Sequence, residues 1–286
     1  MTTDLMIQSP ALDKNMIEQI AAIGQASGVR WTNKTAARLI NVPTDHDDRE
    51  AVKDWCDNHG ADQAYVAADA RLTDCKVLVM DMDSTLINIE CIDEIAAFAG
   101  LKAEVAAITE RSMRGEIKEF SDSLRLRVGY LEGLDARVLE DVYTQKLQLN
   151  PGAETLITAA REKGIKTMLV SGGFTFFTER LKARLNLDAA HANELEIDSN
   201  NRLTGRVQGK IVDAQAKADL LANFAARHGA KSEQIIAIGD GANDLKMLAM
   251  ARYSVAYRAK PVVREQARYA LNVTPLDGVL NFFSDI

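Results

Sequence analysis

Three short apolar runs, each followed at once by polar residues, most constrain how this chain can fold. The runs are residues 76–80, 166–170 and 235–238, and the polar segments after them are Asp81-Met82-Asp83, Ser171-Gly172-Gly173 and Gly239-Asp240-Gly241. Short, continuous, β-branched runs are typical of strands buried on both faces of a parallel sheet. Ligands of open parallel α/β sheets bind beyond the carboxyl ends of the strands. We therefore expect an α/β core whose three polar strand ends converge on one site.

The stretch between the first two of these strands has a different character. Residues 92–99, 102–111, 121–130 and 136–145 each show the apolar spacing of an amphipathic helix. Because this helix-rich stretch interrupts the α/β pattern directly after the first polar strand end, we predict a helical cap inserted at about residues 89–150. The cap would belong to a core domain that spans residues 73–286.

Residues 1–72 are predicted to form a separate small α/β domain. Their patterns indicate strands at 5–7, 37–42 and 64–66, with helices at 12–26 and 48–58. This order favours a ferredoxin-like or ligand-sensing fold, but the segment contains no chemical motif. The pattern leaves regulation, dimerisation and simple stabilisation open, and a homodimer is one partner arrangement that it allows.

Charge and cysteine content exclude some classes of protein. The chain has 34 Lys and Arg against 41 Asp and Glu, a net charge of −7, so nucleic acid is not expected as the main partner.

The three cysteines show no C-x-x-C spacing, which suits buried free thiols in a reducing compartment. The first residues lack a basic and apolar leader, and no later stretch is long and apolar enough for a membrane span. We expect a cytoplasmic protein with no membrane partner.

Two acidic clusters follow the first and third strands. Asp81 and Asp83 are two residues apart, and Asp240 is followed by Asn243 and Asp244. Carboxylates this close require a bound cation or one proton-holding acid. Hard oxygen donors with no adjacent His or Cys suit Mg²⁺ rather than zinc. Taken alone, each cluster fits equally well a simple role in capping the following helix.

The second strand end and a later lysine are suited to binding an anion. Ser171 is followed by two glycines, whose backbone N–H groups can approach a phosphate closely at a helix start. Lys217 lies in a helical segment of small residues and could neutralise phosphate charge. Most Ser-Gly-Gly turns bind no ligand, and most lysines are solvated. These features therefore indicate an anion site only because they occur together with the aspartates.

In this order the motifs resemble those of the haloacid dehalogenase superfamily. They are Asp81-x-Asp83-x-Thr85, Ser171, Lys217 and Gly239-Asp240-Gly241-x-Asn243-Asp244. From about Lys76 to the C-terminus the chain resembles more closely the phosphoserine phosphatase family, and this resemblance is carried by residues 81–88, 90–95, 113–115, 123–128, 170–174 and 239–244. It implies a Rossmann-like parallel sheet with an inserted helical cap, and a faint likeness of the N-terminal part to ACT-like regulatory domains.

The resemblance implies a phosphatase that hydrolyses O-phospho-L-serine, the last step of L-serine biosynthesis. Asp81 would be the nucleophile that carries the phosphoryl group, and Asp83 the acid and base that serves the leaving oxygen and then water. Mg²⁺ would be held by Asp81, Asp240 and the backbone carbonyl of Asp83, with Asp244 in support. The phosphoryl oxygens would be bound by four further residues. These are Ser171, Gly172, Lys217 and Asn243.

The resemblance implies that the cap recognises the amino-acid part of the substrate. Glu90 matches the position that meets the substrate ammonium, and Arg127 the position that clamps its carboxylate. Met113 and Phe120 match apolar residues that close over the substrate. Without the motif context, Arg127 would be interpreted as a surface charge paired with Glu132 or Asp135.

Two competing functions remain open from the sequence. The same phosphoenzyme could pass its phosphoryl group to another alcohol, or act on another small phospho-alcohol. A protein of a different class would bind a phosphometabolite without turning it over. The presence of both Asp81 and Asp83 counts against that class, because a binder needs neither a nucleophile nor an acid.

Overall fold

The computed structural model describes residues 3–43, 46–113 and 116–286, with the side chains of residues 46–48 and 113 outside that description. The strands are β1 (Thr3–Gln8), β2 (Gly28–Asn33), β3 (Ala36–Ile40), β4 (Asp62–Ala67), β5 (Val77–Met80), β6 (Lys166–Phe174), β7 (Ala189–Ile197), β8 (Leu203–Gln208), β9 (Ile235–Gly239), β10 (Tyr253–Tyr257) and β11 (Tyr269–Leu271). The α-helices are α1 (Lys14–Ile23), α2 (His46–His59), α3 (Cys91–Phe98), α4 (Lys102–Met113), α5 (Phe120–Gly129), α6 (Arg137–Gln145), α7 (Ala153–Glu162), α8 (Thr175–Leu185), α9 (Ala214–Arg227), α10 (Leu245–Leu248) and α11 (Pro261–Gln266).

The chain divides into two compact units that are each built from several segments. One unit comprises Met1–Leu78, Pro151–Lys166 and Ala225–Ile286. The other comprises Val79–Asn150 and Thr167–Phe224. We call them the N/C unit and the central unit. The predicted boundaries at residues 72 and 89–150 stay predictions.

The first part of the N/C unit is a four-stranded antiparallel sheet in the order β2-β3-β1-β4. With α1 and α2 the element order is β-α-β-β-α-β, the order of ferredoxin-like units. Apolar side chains on one face, among them Leu5, Ile20 and Val52, form its core. The sequence patterns did not predict β2, because its residues are almost all exposed and lack apolar alternation; Trp31, for example, is 43% exposed.

Asp62, at the start of β4, ties this sheet to a later segment of the same unit. Its carboxylate accepts hydrogen bonds from the amides of Asn272, Val273 and Thr274 and from the Thr274 hydroxyl, at 2.6–3.1 Å for the shortest bond to each. The side chain is buried. A buried carboxylate with this many donors is strongly stabilising only while every bond is kept.

Replacing Asp62 with Ala should lower the free energy of unfolding by about 3 kcal/mol, since buried donors lose a charged acceptor. The midpoint of urea unfolding measures the effect. Asp57→Ala is the matched control, because Asp57 pairs with Lys53 where both side chains are 63% exposed; that loss should be at most about 0.5 kcal/mol. Equal losses in the two variants would show that the Asp62 bonds do not anchor the sheet.

The larger sheet has seven strands in the order β11-β10-β9-β5-β6-β7-β8. The pairs β9–β10, β10–β11 and β6–β7 are parallel, and β7–β8 is an antiparallel hairpin. All four residues of β5 and all five of β9 are buried, as expected for strands covered on both faces. The predicted α/β core with a mainly parallel sheet is confirmed.

The insertion after β5 is helical, as predicted, and consists of α3 to α6. The two segments that connect it to the rest of the central unit run side by side. Ile87 bridges Leu149, and the amide of Asn88 donates to the carbonyl of Gln148 at 3.0 Å. The side-chain amide of Asn150 donates to the carbonyls of Thr85 and Ile87 at 2.8 and 3.0 Å. The cap is therefore attached through a short, cross-linked double connection.

The three cysteines, Cys56, Cys75 and Cys91, are buried and free, which confirms the prediction. Burial raises the pKa of the Cys56 and Cys75 thiols to about 12, so these groups stay protonated. In the described part of the chain no helix combines the length and apolar character required to cross a membrane.

Candidate active site

Asp81 is the first residue after β5, and its carboxylate is paired with a lysine inside the central unit. The Asp81 Oδ1 atom lies 2.7 Å from the Nζ atom of Lys217, which is on the first turn of α9. Asp81 is 5% exposed and Lys217 is 0% exposed. A buried ion pair interacts strongly, because little water screens its charges. The predicted nucleophile and the predicted phosphate-binding lysine are thus direct neighbours.

Asp83 lies in the tight turn after Asp81 and accepts two hydrogen bonds. Its Oδ1 atom accepts from the backbone amide of Cys91 at 3.0 Å, and its Oδ2 atom from the Ser171 hydroxyl at 3.3 Å. Burial raises the pKa of the Asp83 carboxyl, and the hydrogen bonds from Cys91 and the charge of Lys217 partly oppose this. A carboxyl group that holds its proton more firmly than usual is suited to general acid catalysis.

Ser171, Gly172 and Gly173 belong to the end of β6, where the ladder to β7 shifts its register between Val170 and Phe174. The strand continues to Phe174, beyond the predicted end at residue 170, and α8 begins directly after it at Thr175. The glycines keep the backbone extended there. The amide of Gly173 donates to the Ser171 hydroxyl at 2.8 Å, and Ser171 in turn donates to Asp83.

Both glycines allow side chains to approach the backbone closely. A Cβ atom on Gly173 would lie 2.5 Å from the Oδ2 atom of Asp83. A Cβ atom on Gly172 would lie 2.9 Å from the ring of Phe120 in α5, so this cap residue packs against the Gly172 backbone. The side chain of Met113 lies outside the described residues. The Ser-Gly-Gly segment is therefore packed between the Asp83 carboxylate and the cap.

Replacing Gly173 with Ala should lower kcat by about 100-fold, because the added methyl group displaces the Asp83 carboxylate, and small misplacements have effects of that size. Steady-state release of phosphate, the product that the family resemblance implies, measures the change. Gly129→Ala in the cap is the matched control, since a Cβ atom there meets nothing within 4 Å. If the Gly173→Ala enzyme kept more than half of the parent kcat, close packing against Asp83 would be unimportant.

The cap residues Glu90 and Arg127 lie in the same unit as Asp81. The Ser84 hydroxyl donates to Glu90 Oε1 at 2.7 Å, and the φ angle of 56° at Ser84 turns the chain so that Glu90 returns to the loop that carries Asp81 and Asp83. Burial lowers the pKa of the Arg127 guanidinium, while the charges of Asp93, Glu90 and Asp83 oppose this, so Arg127 remains a cation.

Arg127 is half-buried, which does not suit the interpretation as a solvated surface charge. Its Nε atom donates to the backbone carbonyl of Ser123 within α5 at 3.4 Å. Asp135, one partner considered from the sequence, pairs with Arg137 at 2.6 Å. The negative charges that act on Arg127 are those of Asp93, Glu90 and Asp83.

The loop after β9, in the N/C unit, holds the second acidic cluster. Asp244 is fully buried, and its Oδ2 atom accepts from the amides of Gly241 and Asp240 at 3.0 and 3.2 Å. A Cβ atom on Gly239 would lie 2.6 Å from the Asp244 carboxylate, and one on Gly241 would collide with Asn243. Carboxylate oxygens of Asp240 and Asp244 lie within 4.8 Å of each other.

Helix capping explains part of the second acidic cluster but not Asp81. Asp244 is the third residue of the 3-10 turn at residues 242–244, and its carboxylate accepts from the amide of Gly241, the residue that caps this turn. Asp81 occupies an N-cap position but makes no side-chain capping hydrogen bond, and its Oδ1 atom is directed to Lys217. Capping is therefore a sufficient role for the Asp244 carboxylate and not for that of Asp81.

Three polar contacts at the site were not predicted from the sequence. They involve the amide of Cys91, which binds Asp83, and the side chains of Asn150 and Asn193, which bind backbone carbonyls next to Asp83 and at Gly172. The sequence around the asparagines gives no signal, since Asn150 lies between Leu149 and Pro151, and Asn193 between Ala192 and Glu194. Their partners are also too distant in sequence to be identified from a local pattern.

Comparison with known proteins agrees with this geometry. A family model described as haloacid dehalogenase-like hydrolase matches residues 78–249, and a domain of unknown function matches residues 5–52. The phosphoserine phosphatase of Polaromonas sp. is 50% identical over 216 residues, which cover 74% of this chain and 91% of that protein.

Solved structures match over almost the whole chain. The probable phosphoserine phosphatase from Vibrio cholerae, unliganded, has a TM-score of 0.84 at 35% identity and covers 98% of this chain and 85% of its own. A HAD family hydrolase from Salmonella enterica serovar Typhi has a TM-score of 0.89 at 31% identity. The match covers 100% of this chain and 99% of the Salmonella chain.

The parallel sheet, the helical insertion and the aspartates at the strand ends are those of haloacid dehalogenase-like hydrolases, a class of enzymes. Within this class the identity is high over nearly all of the Polaromonas relative. The chain belongs to the phosphoserine phosphatase family.

Proposed function

We propose that this enzyme hydrolyses O-phospho-L-serine to L-serine and phosphate through a phosphoryl group carried on Asp81. The observation that carries the proposal is the buried pair of Asp81 and Lys217, with Asp83 and Ser171 in the same unit. A buried carboxylate held by a cation is a suitable nucleophile for an anionic substrate. The family to which the chain belongs supports this substrate.

We further propose that Mg²⁺ is held by Asp81, Asp240 and the backbone carbonyl of Asp83. The donor set fits, because Asp81 and Asp240 offer carboxylate oxygens and Asp83 a carbonyl oxygen, and all of these are hard oxygen ligands. When bound, Mg²⁺ would offset the negative charge between the nucleophile and the phosphate.

In the first step a carboxylate oxygen of Asp81 attacks phosphorus, and the bond between phosphorus and the serine oxygen breaks. Asp83 gives its proton to that departing oxygen, for which its raised pKa suits it. The charge that develops on the phosphoryl oxygens would be stabilised by four groups. These are the Ser171 hydroxyl, the Gly172 amide, the Lys217 ammonium and the Asn243 side chain.

In the second step Asp83 acts as a base. It takes a proton from water, the water oxygen attacks phosphorus, and the bond between phosphorus and Asp81 breaks. Phosphate leaves and the Asp81 carboxylate is restored, so protons and charge balance over the two steps. Ser171 and the amide of Cys91 hold the Asp83 oxygens in place for both transfers.

Selection of the amino acid is proposed to depend on Glu90 and Arg127. A substrate with an ammonium and a carboxylate group needs one partner of each sign. Arg127 can bind a carboxylate with two parallel hydrogen bonds, and Glu90 can accept from the ammonium. The surrounding charges of Glu90 and Asp83 keep Arg127 cationic where the substrate would bind.

Arg127→Ala should lower kcat/KM for O-phospho-L-serine by about 100-fold, because the substrate carboxylate loses a charged partner in a partly buried place. Turnover of an aryl phosphate, which has no carboxylate, should change less than about threefold. Arg125→Ala is the matched control, since Arg125 is on the same helix, is exposed and pairs with Asp122. Equal losses for both substrates would contradict the proposed role of Arg127.

The function is tested by measuring phosphate and L-serine released from O-phospho-L-serine with Mg²⁺ and with EDTA, beside an aryl phosphate. The proposal expects metal-dependent release with a clear preference for phosphoserine and equal amounts of serine and phosphate. Serine without free phosphate in the presence of an added alcohol would indicate transfer instead. No release from either compound would overturn the proposal.

Several narrower statements stay predictions. We propose that the reaction is the last step of L-serine biosynthesis, since it consumes the phosphorylated precursor and yields the free amino acid. The cytoplasmic location, the homodimer and the regulatory role of residues 1–72 also stay predictions from the sequence.

A further inference from the structure

We infer that Asn193 is a positioning residue that joins the Gly172 backbone to the segment leading into the Lys217 helix. Asn193 is in β7 and is 1% exposed. Its Nδ2 atom donates to the carbonyl of Gly172 at 2.7 Å, and its Oδ1 atom accepts from the amide of Val212 at 2.8 Å. One side chain thus bridges two backbone segments that are distant in sequence.

The bridge requires the chemistry of an asparagine. One end of the side chain must donate and the other must accept, and a carboxamide does both within one short planar group. An aspartate of the same size would place an oxygen against the Gly172 carbonyl, and two acceptors repel. An alanine would leave a partly buried carbonyl and a buried amide without this partner.

On the Gly172 side the bridge restrains a flexible segment. Gly172 and Gly173 have no side chains of their own to fix their backbone angles. The Gly172 carbonyl belongs to the same peptide group as the Gly173 amide, which donates to the Ser171 hydroxyl. Holding that carbonyl therefore fixes the peptide that orients Ser171, and Ser171 donates to Asp83.

On the Val212 side the bridge restrains the start of α9. The Asp213 carboxylate accepts from the amide of Ala216 at 2.8 Å, and the Asp213 carbonyl accepts from the amide of Lys217 at 2.9 Å. Lys217 is therefore one turn from the residue next to Val212, and its Nζ atom reaches Asp81. Asn193 sets the distance between the Ser-Gly-Gly segment and the helix that presents the lysine.

This inference rests on the proposed function, because it takes the two bridged segments to bind the same phosphoryl group. Asn193 touches no reacting atom and acts through Gly172 and Val212. Loss of the bridge should therefore lower kcat while the amino acid is still held by Glu90 and Arg127.

The test compares Asn193→Asp and Asn193→Ala with the parent enzyme, using O-phospho-L-serine and Mg²⁺. We expect kcat to fall about 10- to 100-fold in both variants, the size found when residues that orient catalytic groups are replaced. KM should change less than about threefold. The Asp variant decides between packing and positioning, because it keeps the side-chain volume; a packing role alone predicts near-parental kcat for it.

Thr167→Val is the matched control. Thr167 is also fully buried in β6, at the end of the strand opposite the glycines, and its hydroxyl bonds to Asp188 at 3.1 Å and accepts from the Asp188 amide at 3.2 Å. This variant should be destabilised in urea unfolding but keep its kcat. Hydrogen exchange of residues 210–217 provides a second readout, and it should become faster in the Asn193 variants only.

The outcomes separate this inference from the proposed function. If the parent enzyme releases no phosphate from phosphoserine, the proposed function fails. If the parent enzyme is active and both Asn193 variants keep kcat within twofold, or Thr167→Val loses as much kcat, the positioning role of Asn193 is refuted while the function stands. Unchanged exchange of residues 210–217 in the Asn193 variants would also refute the role.

Discussion

Replacing Asp81 with Asn is expected to lower kcat for O-phospho-L-serine by at least about four orders of magnitude, the range found when a nucleophile is removed. A carboxamide has the same size as the carboxylate but is not a nucleophile. Its oxygen can still accept from Lys217, which lies 2.7 Å from Asp81 Oδ1, so the loss reports on chemistry rather than on collapse of the site. Phosphate release over many hours, with protein unfolding followed in parallel, measures it.

Asp122→Asn supplies the control for the same chemical change, since Asp122 is exposed on α5 and pairs only at the surface with Arg125. Its kcat should match that of the parent enzyme. An Asp81→Asn enzyme that kept about 1% of the parent kcat would show that another group, or water directly, attacks phosphorus.

Replacing Lys217 with Met is expected to affect both stability and catalysis. Lys217 is 0% exposed and holds Asp81, so its removal leaves a buried carboxylate without this cation. Removing one partner of a buried ion pair typically costs about 3–5 kcal/mol. Loss of a charge that stabilises the phosphoryl oxygens should lower kcat by about 100- to 1,000-fold.

The double variant Asp81→Asn with Lys217→Met measures the interaction between the two side chains. If the loss of the buried ion pair causes the destabilisation, the double variant should lose less free energy of unfolding than the two single variants lose together. The difference should be at least about 1 kcal/mol. Urea unfolding of the four proteins gives this difference. Lys53→Met is the control, because Lys53 pairs with Asp57 at an exposed position. Strictly additive losses would show that the two charges do not depend on each other.

The strands β5 and β9 could be predicted because they are buried on both faces. β5 and β9 are continuous apolar runs, and the polar residues after them mark the strand ends directly. The helix that carries Lys217 has clear helical spacing. β2 could not be predicted, because an exposed edge strand has no buried face to impose a pattern. The extension of β6 to Phe174 was not predicted. Two consecutive glycines usually indicate a turn, and the sequence alone does not show the contacts that keep this segment extended.

The residues proposed to act in catalysis carry a clearer signal in the sequence than the residues proposed to position them. Asp81 and Asp83 are two carboxylates placed close together at a strand end, which is unusual. Lys217 could be selected from the other lysines only by its place in the order of the motifs. Asn193 bonds to Gly172 and Val212, and no local pattern reports such distant partners. Arg127 was favoured as a surface charge on spacing alone, and only the packing of the cap shows it to be half-buried.

The most direct test of the central claim is to trap the phosphoryl group on the enzyme. The enzyme is mixed with O-phospho-L-serine labelled with ³²P, quenched in acid within milliseconds, digested and analysed by mass spectrometry. Asp83→Asn serves as a second sample, because loss of the base should slow release of the phosphoryl group from Asp81. The account predicts a label on the peptide that contains Asp81 and none in Asp81→Asn. Turnover with no labelled peptide, or a label on another residue, would contradict it.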